Sequence, residues 1–203
     1  VLFRSCLIKK IDFIVIDNYE INYEWCKNIN NCGFKIIQFA DFKSKKYHSS
    51  ILINPNSNNK FNNKMKNSIQ FTGSKFSFIE NEFMLNKTKK LKLDKNNLRI
   101  LIYLGSNFSK KILLGILYKL KKFKKNINQI SVITNEKYLL KDSVIKFLKF
   151  QKIRKLISTI DKNDIIITAG GTFLIKCLIR NKLILSIETH GNQKEDRKST
   201  RLN

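Results

Sequence analysis

Short apolar runs rich in β-branched residues alternate with segments of helical periodicity in the second half of the chain. The strand-like runs have too few residues for stable helices, and they are 98–104, 129–134, 144–148, 165–168 and 183–187. The helical segments between them are 110–123, 136–141, 152–160 and 172–180. Because parallel strands need helical crossovers, this alternation predicts a doubly wound α/β sheet of five strands.

The first half of the chain contains the same pattern once. A buried strand is predicted at 11–16, a helix at 21–31 that stops at Gly33, and a second strand at 34–39. These three elements form a βαβ unit. The Asn- and Lys-rich segment 54–67 predicts a surface loop, and 68–78 is expected to be ordered as either strand or coil.

The composition of 86–97 divides the chain into two Rossmann-like domains. This segment is rich in Lys and Asn and has little apolar periodicity, which indicates an interdomain linker. We therefore expect a partial N-terminal domain at 6–85 and a C-terminal domain at 98–195. The ends, 1–5 and 197–203, resemble translated sequencing-adapter tails and are expected to be non-native. The first domain is then expected to lack its opening strands.

The chain is strongly basic, with 40 Lys and Arg against 15 Asp and Glu and a formal net charge of +25. Such a charge attracts phosphate surfaces without regard to sequence. The lysines are scattered among Asn and Ile in every segment, however, which indicates a solvated surface and no specific nucleic-acid partner. Only 119–125 is dense in lysine, at the end of a predicted helix, where cations interact favourably with the terminal carbonyls.

Other classes of protein have little support in the sequence. No apolar run approaches the length of a membrane span, and the beginning of the chain lacks the pattern of a secretory signal. We therefore expect a cytoplasmic protein without a membrane span. Cys6, Cys26, Cys32 and Cys177 form no CxxC pair and have no histidine at metal-ligand spacing, so we expect free thiols, no metal and no cofactor.

Two glycine turns each join a predicted strand to a predicted helix. One is Ala169-Gly170-Gly171-Thr172, and the other is Leu104-Gly105-Ser106-Asn107. Glycine permits close backbone approach, and the first amides of a helix can bind a diphosphate, although a simple tight turn would have the same sequence. Both turns should lie at the carboxyl edge of the sheet, where α/β proteins bind ligands. Asn192-Gln193 follows the last strand and would join them there, unless it is an ordinary polar loop.

Six short blocks of the sequence are similar, in this order, to the blocks of one enzyme family. They are Asp17-Asn18-Tyr19 with Glu24-Trp25, Gly33-Phe34-Lys35-Ile36 with Asp41 and Leu52-Ile53-Asn54, Gly73-Ser74-Lys75-Phe76 with Glu82-Phe83, Leu104-Gly105-Ser106-Asn107, Ala169-Gly170-Gly171-Thr172, and Asn192-Gln193. Together they resemble the hydrolases that remove UDP from a diacetamido-trideoxyhexose nucleotide in pseudaminic acid biosynthesis. The family's Trp-Glu pair is reversed here, and Leu104 replaces one of its glycines.

The resemblance implies a fold of glycosyltransferase-B type with two Rossmann-like α/β domains, the first of them incomplete here. It implies that the C-terminal domain binds a UDP-sugar and that the N-terminal domain supplies a general base. Water would attack the anomeric carbon and UDP would leave. The residues that the resemblance assigns to nucleotide or substrate binding are Gly105, Ser106, Asn107, Gly170, Gly171, Thr172, Asn192, Gln193, Asp17 and Tyr19.

The chain also departs from the family pattern. The family's base is a histidine in a glycine-rich loop, and nothing before Ile11 resembles that loop, so this fragment is expected to be inactive by itself. His48 and His190 are expected to be solvated surface residues. Lys176 replaces a glutamate suited to a ribose hydroxyl, and an ammonium group cannot accept a hydrogen bond. A glycosyltransferase of the same fold, or a non-catalytic relative that binds nucleotide-sugars, remains an alternative to the hydrolase.

Overall fold

A computed structural model describes residues 11–41, 45–55, 61–85, 93–105, 108–136, 138, 140 and 142–187. The chain forms two compact units, the first ending at Ser77 and the second beginning at Phe78. Each unit is built on its own parallel sheet. The predicted non-native tails lie outside the described residues.

The first unit contains four parallel strands within its described residues, in the spatial order β1-β2-β3-β4. They are β1 (Phe13–Ile16), β2 (Lys35–Phe39), β3 (Ile51–Asn54) and β4 (Ile69–Thr72). Helix α1 (Tyr23–Asn31) connects the first two strands. It begins later than predicted because the Asn22 side chain accepts a hydrogen bond from the Trp25 amide, 2.9 Å away, and so caps the helix. Gly33 follows the helix with φ of +87°, as the predicted stop requires.

The core of the first unit explains why one segment is more ordered than its composition suggests. Helix α1 packs Cys26 and Ile29 against Ile16 and Ile36 of the sheet. A second apolar cluster includes Phe61, which is buried although it lies in the predicted surface loop 54–67. The neighbouring Asn63 side chain pairs with the Ser49 backbone through bonds of 2.8 and 3.2 Å. Residues 61–67 thus form an irregular surface loop, as predicted, which the buried Phe61 anchors to the unit.

The second unit has five parallel strands within its described residues, in the order β7-β6-β5-β8-β9. The strands are β5 (Leu98–Tyr103), β6 (Ile127–Ile133), β7 (Ile145–Leu148), β8 (Ile165–Thr168) and β9 (Leu183–Ser186). The helices are α2 (Asn81–Met84), α3 (Lys110–Lys121), α4 (Ile153–Lys162) and α5 (Thr172–Ile179). This is the Rossmann order, in which the chain reverses its direction of winding between β5 and β8. The predicted doubly wound sheet is confirmed.

One predicted helix of the second unit is wrong in its described part. Residues 136, 138 and 140 of the predicted helix 136–141 are not helical. The Glu136 amide donates to the Thr134 hydroxyl at 3.1 Å, and the Tyr138 ring stacks on Phe147 with centroids 5.0 Å apart. These contacts hold the segment against β7 as an irregular connection.

Both faces of the second sheet are covered by helices. On one face Leu113 and Leu117 of α3 pack against Ile100 and Ile102 of β5. On the other face Leu101 of β5 packs in a cluster with residues of α2, α4 and α5. Successive residues of β5 thus point to opposite sides, as the pleat of a strand requires. The continuous apolar sequence of this strand follows from burial on both faces.

The segment before β5 belongs to the second unit because it is anchored there. Phe83 of α2 is fully buried in the cluster on the α5 side. The buried Arg180 guanidinium donates to the carbonyl oxygens of Phe83 and Leu85, at 3.3 and 2.7 Å, and forms an ion pair with Asp161. The units therefore divide after Ser77, whereas the sequence placed the end of the first domain at 85 and a linker at 86–97. Residues 86–92 lie outside the described part of the chain.

An ion pair clamps the two central strands at their amino ends. Asp164, just before β8, accepts hydrogen bonds from the Arg99 backbone amide at 2.9 Å and from the Arg99 guanidinium at 3.0 and 3.2 Å. The Asp164 amide returns a bond of 2.8 Å to the Arg99 carbonyl. Burial of the carboxyl favours its neutral form, but the Arg99 hydrogen bonds outweigh burial, so the pKa of Asp164 lies below its ordinary value. The clamp therefore fixes the register of β5 against β8.

Replacing Asp164 by asparagine should destabilise the chain in a pH-dependent way. We expect the free energy of unfolding at pH 7 to fall by roughly 1 to 2 kcal/mol. This value lies in the lower part of the range for hydrogen bonds to charged groups, because the Arg99 side chain is half exposed and solvent weakens the ion pair. A depressed carboxyl pKa stabilises the fold above the unfolded pKa of about 4, and this stabilisation is lost as pH falls through the folded pKa. Urea unfolding from pH 7 to pH 3 measures both effects.

The matched control for this prediction is Asp94→Asn. The Asp94 side chain is exposed and its Oδ1 accepts the Asn96 amide, a bond that asparagine can keep. We expect this variant to unfold like the parent at every pH. A difference between parent and Asp164→Asn that stays constant down to pH 3 would contradict the role given to the Asp164 charge.

Candidate functional site

The two predicted glycine turns lie side by side at the carboxyl rim of the second sheet. Tyr103 of β5 is the register partner of Thr168 of β8, so the residues that follow them leave the sheet at neighbouring points. These residues are Leu104-Gly105 after β5 and Ala169-Gly170-Gly171 after β8. In a doubly wound sheet this is the point where the winding reverses and a crevice opens. The sequence predicted this proximity of the two turns.

Gly105 and Gly171 both have backbone conformations that other residues rarely adopt. Gly171 has φ of 93° and ψ of −167°, and Gly105 has φ of 92°. A Cβ atom built on either residue would meet no atom of the described residues within 4 Å. The requirement for glycine is therefore conformational, and the space beside both turns is open.

The first turn of helix α5 presents backbone donors at this rim that have no partner among the described residues. Gly171 is its N-cap and supplies no side-chain hydrogen bond, and the first helical bond runs from the Leu174 amide to the Gly171 carbonyl at 3.1 Å. The amides of Thr172 and Phe173 precede that bond, so they have no partner within the helix. The first turn carries no acidic residue, and the Thr172 side chain is exposed. Unpaired amides and the helix dipole together favour an anion at this position.

An aromatic cluster lies next to the glycine turns. The Tyr103 ring makes edge contacts with Phe173, at 4.5 Å between centroids, and with Phe150, at 5.9 Å. Phe150 follows β7 and is 43% exposed. This cluster could not be predicted from the sequence, because aromatic residues that follow different strands are brought together only by the sheet. An exposed ring beside an anion site is a surface on which a planar base can stack.

A cavity of about 1000 Å³ opens beside Phe150 and is lined by residues 147–155. Its lining combines the apolar side chains of Phe147, Leu148 and Ile153 with four cations. These cations are Lys149, Lys152, Arg154 and Lys155. The N-terminus of α4 begins within the same stretch, at Ile153. The cavity is therefore suited to a ligand that has both an apolar ring and negative charge.

Lys176, which replaces a glutamate of the resembled family, is engaged in an ion pair. Its Nζ atom lies 2.8 Å from a carboxylate oxygen of Glu80 and 5.1 Å from the centroid of the Phe83 ring. Burial disfavours the charged form of Glu80, but the Lys176 hydrogen bond helps to lower the pKa of Glu80 below its ordinary value. Lys176 therefore serves to hold the segment that contains α2 against the second unit.

Tyr19 lines a second cavity, of about 410 Å³, in the first unit. Its hydroxyl is hydrogen-bonded to Asp41, and this bond, with burial, raises the pKa of Tyr19 to about 12. Lys45 Nζ donates to the Tyr19 carbonyl at 2.5 Å. The buried Gln38 also lines the cavity, and its Oε1 accepts the Ser49 hydroxyl at 2.5 Å. Asp17 is exposed and does not line the cavity, so Tyr19 and Asp41 are its polar centre.

Most of the remaining residues singled out from the sequence lie outside the described part of the chain, and His48 differs from its prediction. Ser106, Asn107, Asn192, Gln193 and His190 lie outside the described residues. His48 is partly buried rather than solvated, because its ring packs edge-on against Tyr23 at 5.4 Å between centroids. Its Nδ1 atom is buried without a hydrogen-bond partner among the described residues. The expectation of a solvated His48 is therefore wrong.

The described part of the chain contains no group of three His, Cys, Asp or Glu side chains that could hold a metal ion. It also contains no helix that combines the length and the apolar character needed to cross a bilayer.

The chain has an α/β fold of glycosyltransferase-B-like type, built on two parallel sheets. Among solved structures, the chain is similar to the crystal structure of MurG from Acinetobacter baumannii, with 11% sequence identity and a TM-score of 0.56. The match covers 97% of this chain and 59% of the MurG chain, so the chain spans about three fifths of its length. At this identity the likeness shows the fold alone. No protein-family model and no curated protein matches the chain.

The conformation of Gly171 predicts that it cannot be replaced without loss of stability. We expect Gly171→Ala to lower the free energy of unfolding by about 1 to 3 kcal/mol, because a side chain strains this backbone conformation even where space is free. Gly115→Ala is the matched control. Gly115 is exposed within α3, and alanine there should stabilise the chain by about 0.5 to 1 kcal/mol. Equal effects of the two substitutions in chemical denaturation would contradict the backbone assigned to Gly171.

Proposed function

We propose that this chain binds the diphosphate of a UDP-sugar at the carboxyl rim of its second sheet. The observation that carries the proposal is the pairing of Tyr103 with Thr168, which brings the turns at Gly105 and Gly171 together at the reversal point of the winding. The turns are open to solvent, and helix α5 points unpaired amides at them. The likeness in fold to MurG and the resemblance of the sequence blocks support the same class of ligand.

The nucleotide is proposed to lie with its phosphates on the amides of Thr172 and Phe173. Backbone donors at a helix N-terminus stabilise phosphate without a metal ion or a lysine. The uracil ring would then stack on the exposed face of Phe150, in the cavity lined by residues 147–155. The cations of that cavity favour an anionic ligand over a neutral one. Lys176 has no part in ribose binding in this proposal, because it pairs with Glu80.

The reaction proposed for the whole protein is hydrolysis of the UDP-sugar, as in pseudaminic acid biosynthesis. Water would attack the anomeric carbon, the bond from that carbon to the diphosphate oxygen would break, and UDP would leave with the bonding electrons. The rim residues would hold the substrate in place and stabilise the charge that develops on the departing diphosphate. The resemblance assigns the base to a histidine with no counterpart among the matched blocks, so we assign this chain nucleotide binding and assign the base to no residue.

The cavity of the first unit, taken by itself, is proposed to bind a sugar. It contains the Tyr19 hydroxyl and the Asp41 carboxylate, which are hydrogen-bonded to each other. The buried Gln38 amide and the aromatic ring of Tyr23 are also among its lining residues. Carboxylate, amide and aromatic groups are the ones that bind sugar hydroxyls and ring faces. Tyr19 belongs to the resembled Asp-x-Tyr block, whereas Asp17 acts on Tyr19 only through its charge.

A glycosyltransferase of the same fold is the second candidate. The likeness to MurG favours it, although fold does not determine the reaction. The two candidates differ in the acceptor of the sugar. A hydrolase releases UDP in water alone, whereas a transferase releases UDP at a comparable rate only when an acceptor is added. A non-catalytic relative would bind the nucleotide and release no UDP from the whole protein under either condition.

Isothermal titration of the full chain with UDP tests the proposed binding site. We expect the unmodified chain to bind UDP and Gly171→Val to bind it at least about tenfold more weakly, a loss of about 1.4 kcal/mol, because the strained turn displaces the α5 amides. Gly33→Val is the matched control: Gly33 also has a positive φ and open space, but it lies in the first unit.

The outcomes of this titration distinguish a local binding site from a general loss of stability. Gly33→Val should bind UDP like the unmodified chain, and circular dichroism should show that both variants are folded. Equal weakening by both variants would show a general loss of stability rather than a local site. Absence of UDP binding by the unmodified chain would remove the proposal.

A further inference from the structure

The outer side of helix α3, together with the turn at Phe123 that follows it, carries apolar and cationic side chains. We call it the α3 outer face and define it by Leu114, Tyr118 and Phe123 with Lys111, Lys121 and Lys122. Tyr118 is 70% exposed and Phe123 is 61% exposed. The opposite side of the helix packs Leu113 and Leu117 into the core of the second unit. The outer face is therefore not needed for packing within the unit.

The charge of this region is of one sign over a long stretch of sequence. No Asp or Glu occurs between Asp94 and Glu136, whereas lysines occur at 95, 110, 111, 119, 121, 122, 124 and 125. Lys124 pairs with Asp142 at 3.4 Å, and Lys110 lies over the Tyr138 ring at 5.3 Å. Lys111, Lys121 and Lys122 are exposed, although Lys121 lies close enough to Asp142 to interact with its charge. The face is thus strongly electropositive and also carries exposed apolar groups.

Helix capping does not explain this arrangement. Cations in the last turn interact favourably with the terminal carbonyls, and Lys119 and Lys121 occupy that turn. This role needs neither Lys111, in the first turn, nor the exposed rings of Tyr118 and Phe123. Large apolar side chains on a surface mark an interaction site when they are grouped, whereas scattered ones are ordinary.

We propose that the α3 outer face docks on a membrane surface that contains anionic phospholipid. Lysines near such a surface are attracted by its negative potential, and apolar and aromatic side chains among them can enter the headgroup region. Tyrosine is favoured there because its ring is apolar and its hydroxyl remains in the polar layer. The aliphatic Leu114 beside Tyr118 favours lipid over a single-stranded nucleic acid, which would stack on aromatic rings and gain little from leucine. The proposal is independent of nucleotide binding at the rim.

Co-sedimentation of the full chain with vesicles tests this proposal. The chain should sediment with vesicles of phosphatidylcholine that contain about a third phosphatidylglycerol, and it should remain in the supernatant with phosphatidylcholine alone. The double variant Tyr118→Ser/Phe123→Ser should bind the anionic vesicles about tenfold more weakly, because its lysines remain but its apolar contacts are lost. Lys121→Glu/Lys122→Glu should bind them more weakly still.

The control is Lys64→Glu/Lys66→Glu, which changes the net charge by the same amount at exposed lysines of the first unit. It should bind the anionic vesicles like the unmodified chain, and thermal unfolding should show that all variants are folded. Equal loss in the control would show diffuse attraction by total charge and overturn the proposal. Full binding of the anionic vesicles by Tyr118→Ser/Phe123→Ser would also overturn the proposal. So would displacement of the vesicles by equimolar oligouridylate, because that result would identify the face as an RNA-binding surface.

Discussion

The parallel pairing of β5 with β8 is the constraint on which the candidate site depends. These central strands are held at one end by the Arg99 and Asp164 clamp, and at the other end they deliver the turns at Gly105 and Gly171 to one rim. A slip of one residue in this register would turn every side chain of the strand to the opposite face of the sheet. It would also separate the α5 amides from the turn after β5. The Arg99–Asp164 clamp and the candidate site therefore lie at opposite ends of the same strand pair, β5 and β8.

Two residues that could have served the ligand instead hold the second unit together. Lys176 pairs with Glu80, and Arg180 binds the carbonyls of Phe83 and Leu85. Both lie on α5 or directly after it, so the helix that presents its amides at the rim also anchors the segment before β5. In the proposed function, recognition at the rim depends on backbone groups, which tolerate changes of side chain.

The pattern of apolar residues in the sequence predicted the helices and strands that have a clear periodicity. It did not predict the segments whose structure is fixed by tertiary contacts. The five strands of the second sheet and the helices α1, α3, α4 and α5 were predicted to within a few residues, because their apolar residues recur with the period of a strand or a helix. The docked Phe61, the short helix α2 around Phe83 and the irregular segment at Tyr138 were missed, because each is fixed by contacts with distant residues. Of the candidate site, the glycine turns were predicted, whereas the cluster of Tyr103, Phe150 and Phe173 required the sheet order.

In the proposed function, the backbone at the rim of the second sheet receives the phosphates of a nucleotide. Amide resonances of the ¹⁵N-labelled chain, followed by NMR during titration with UDP, test this at the atoms concerned. We expect the amide signals of Gly105, Gly171, Thr172 and Phe173 to move with UDP concentration while those of α1 stay in place. Saturable shifts confined to residues away from the rim, with these four signals unchanged, would contradict it.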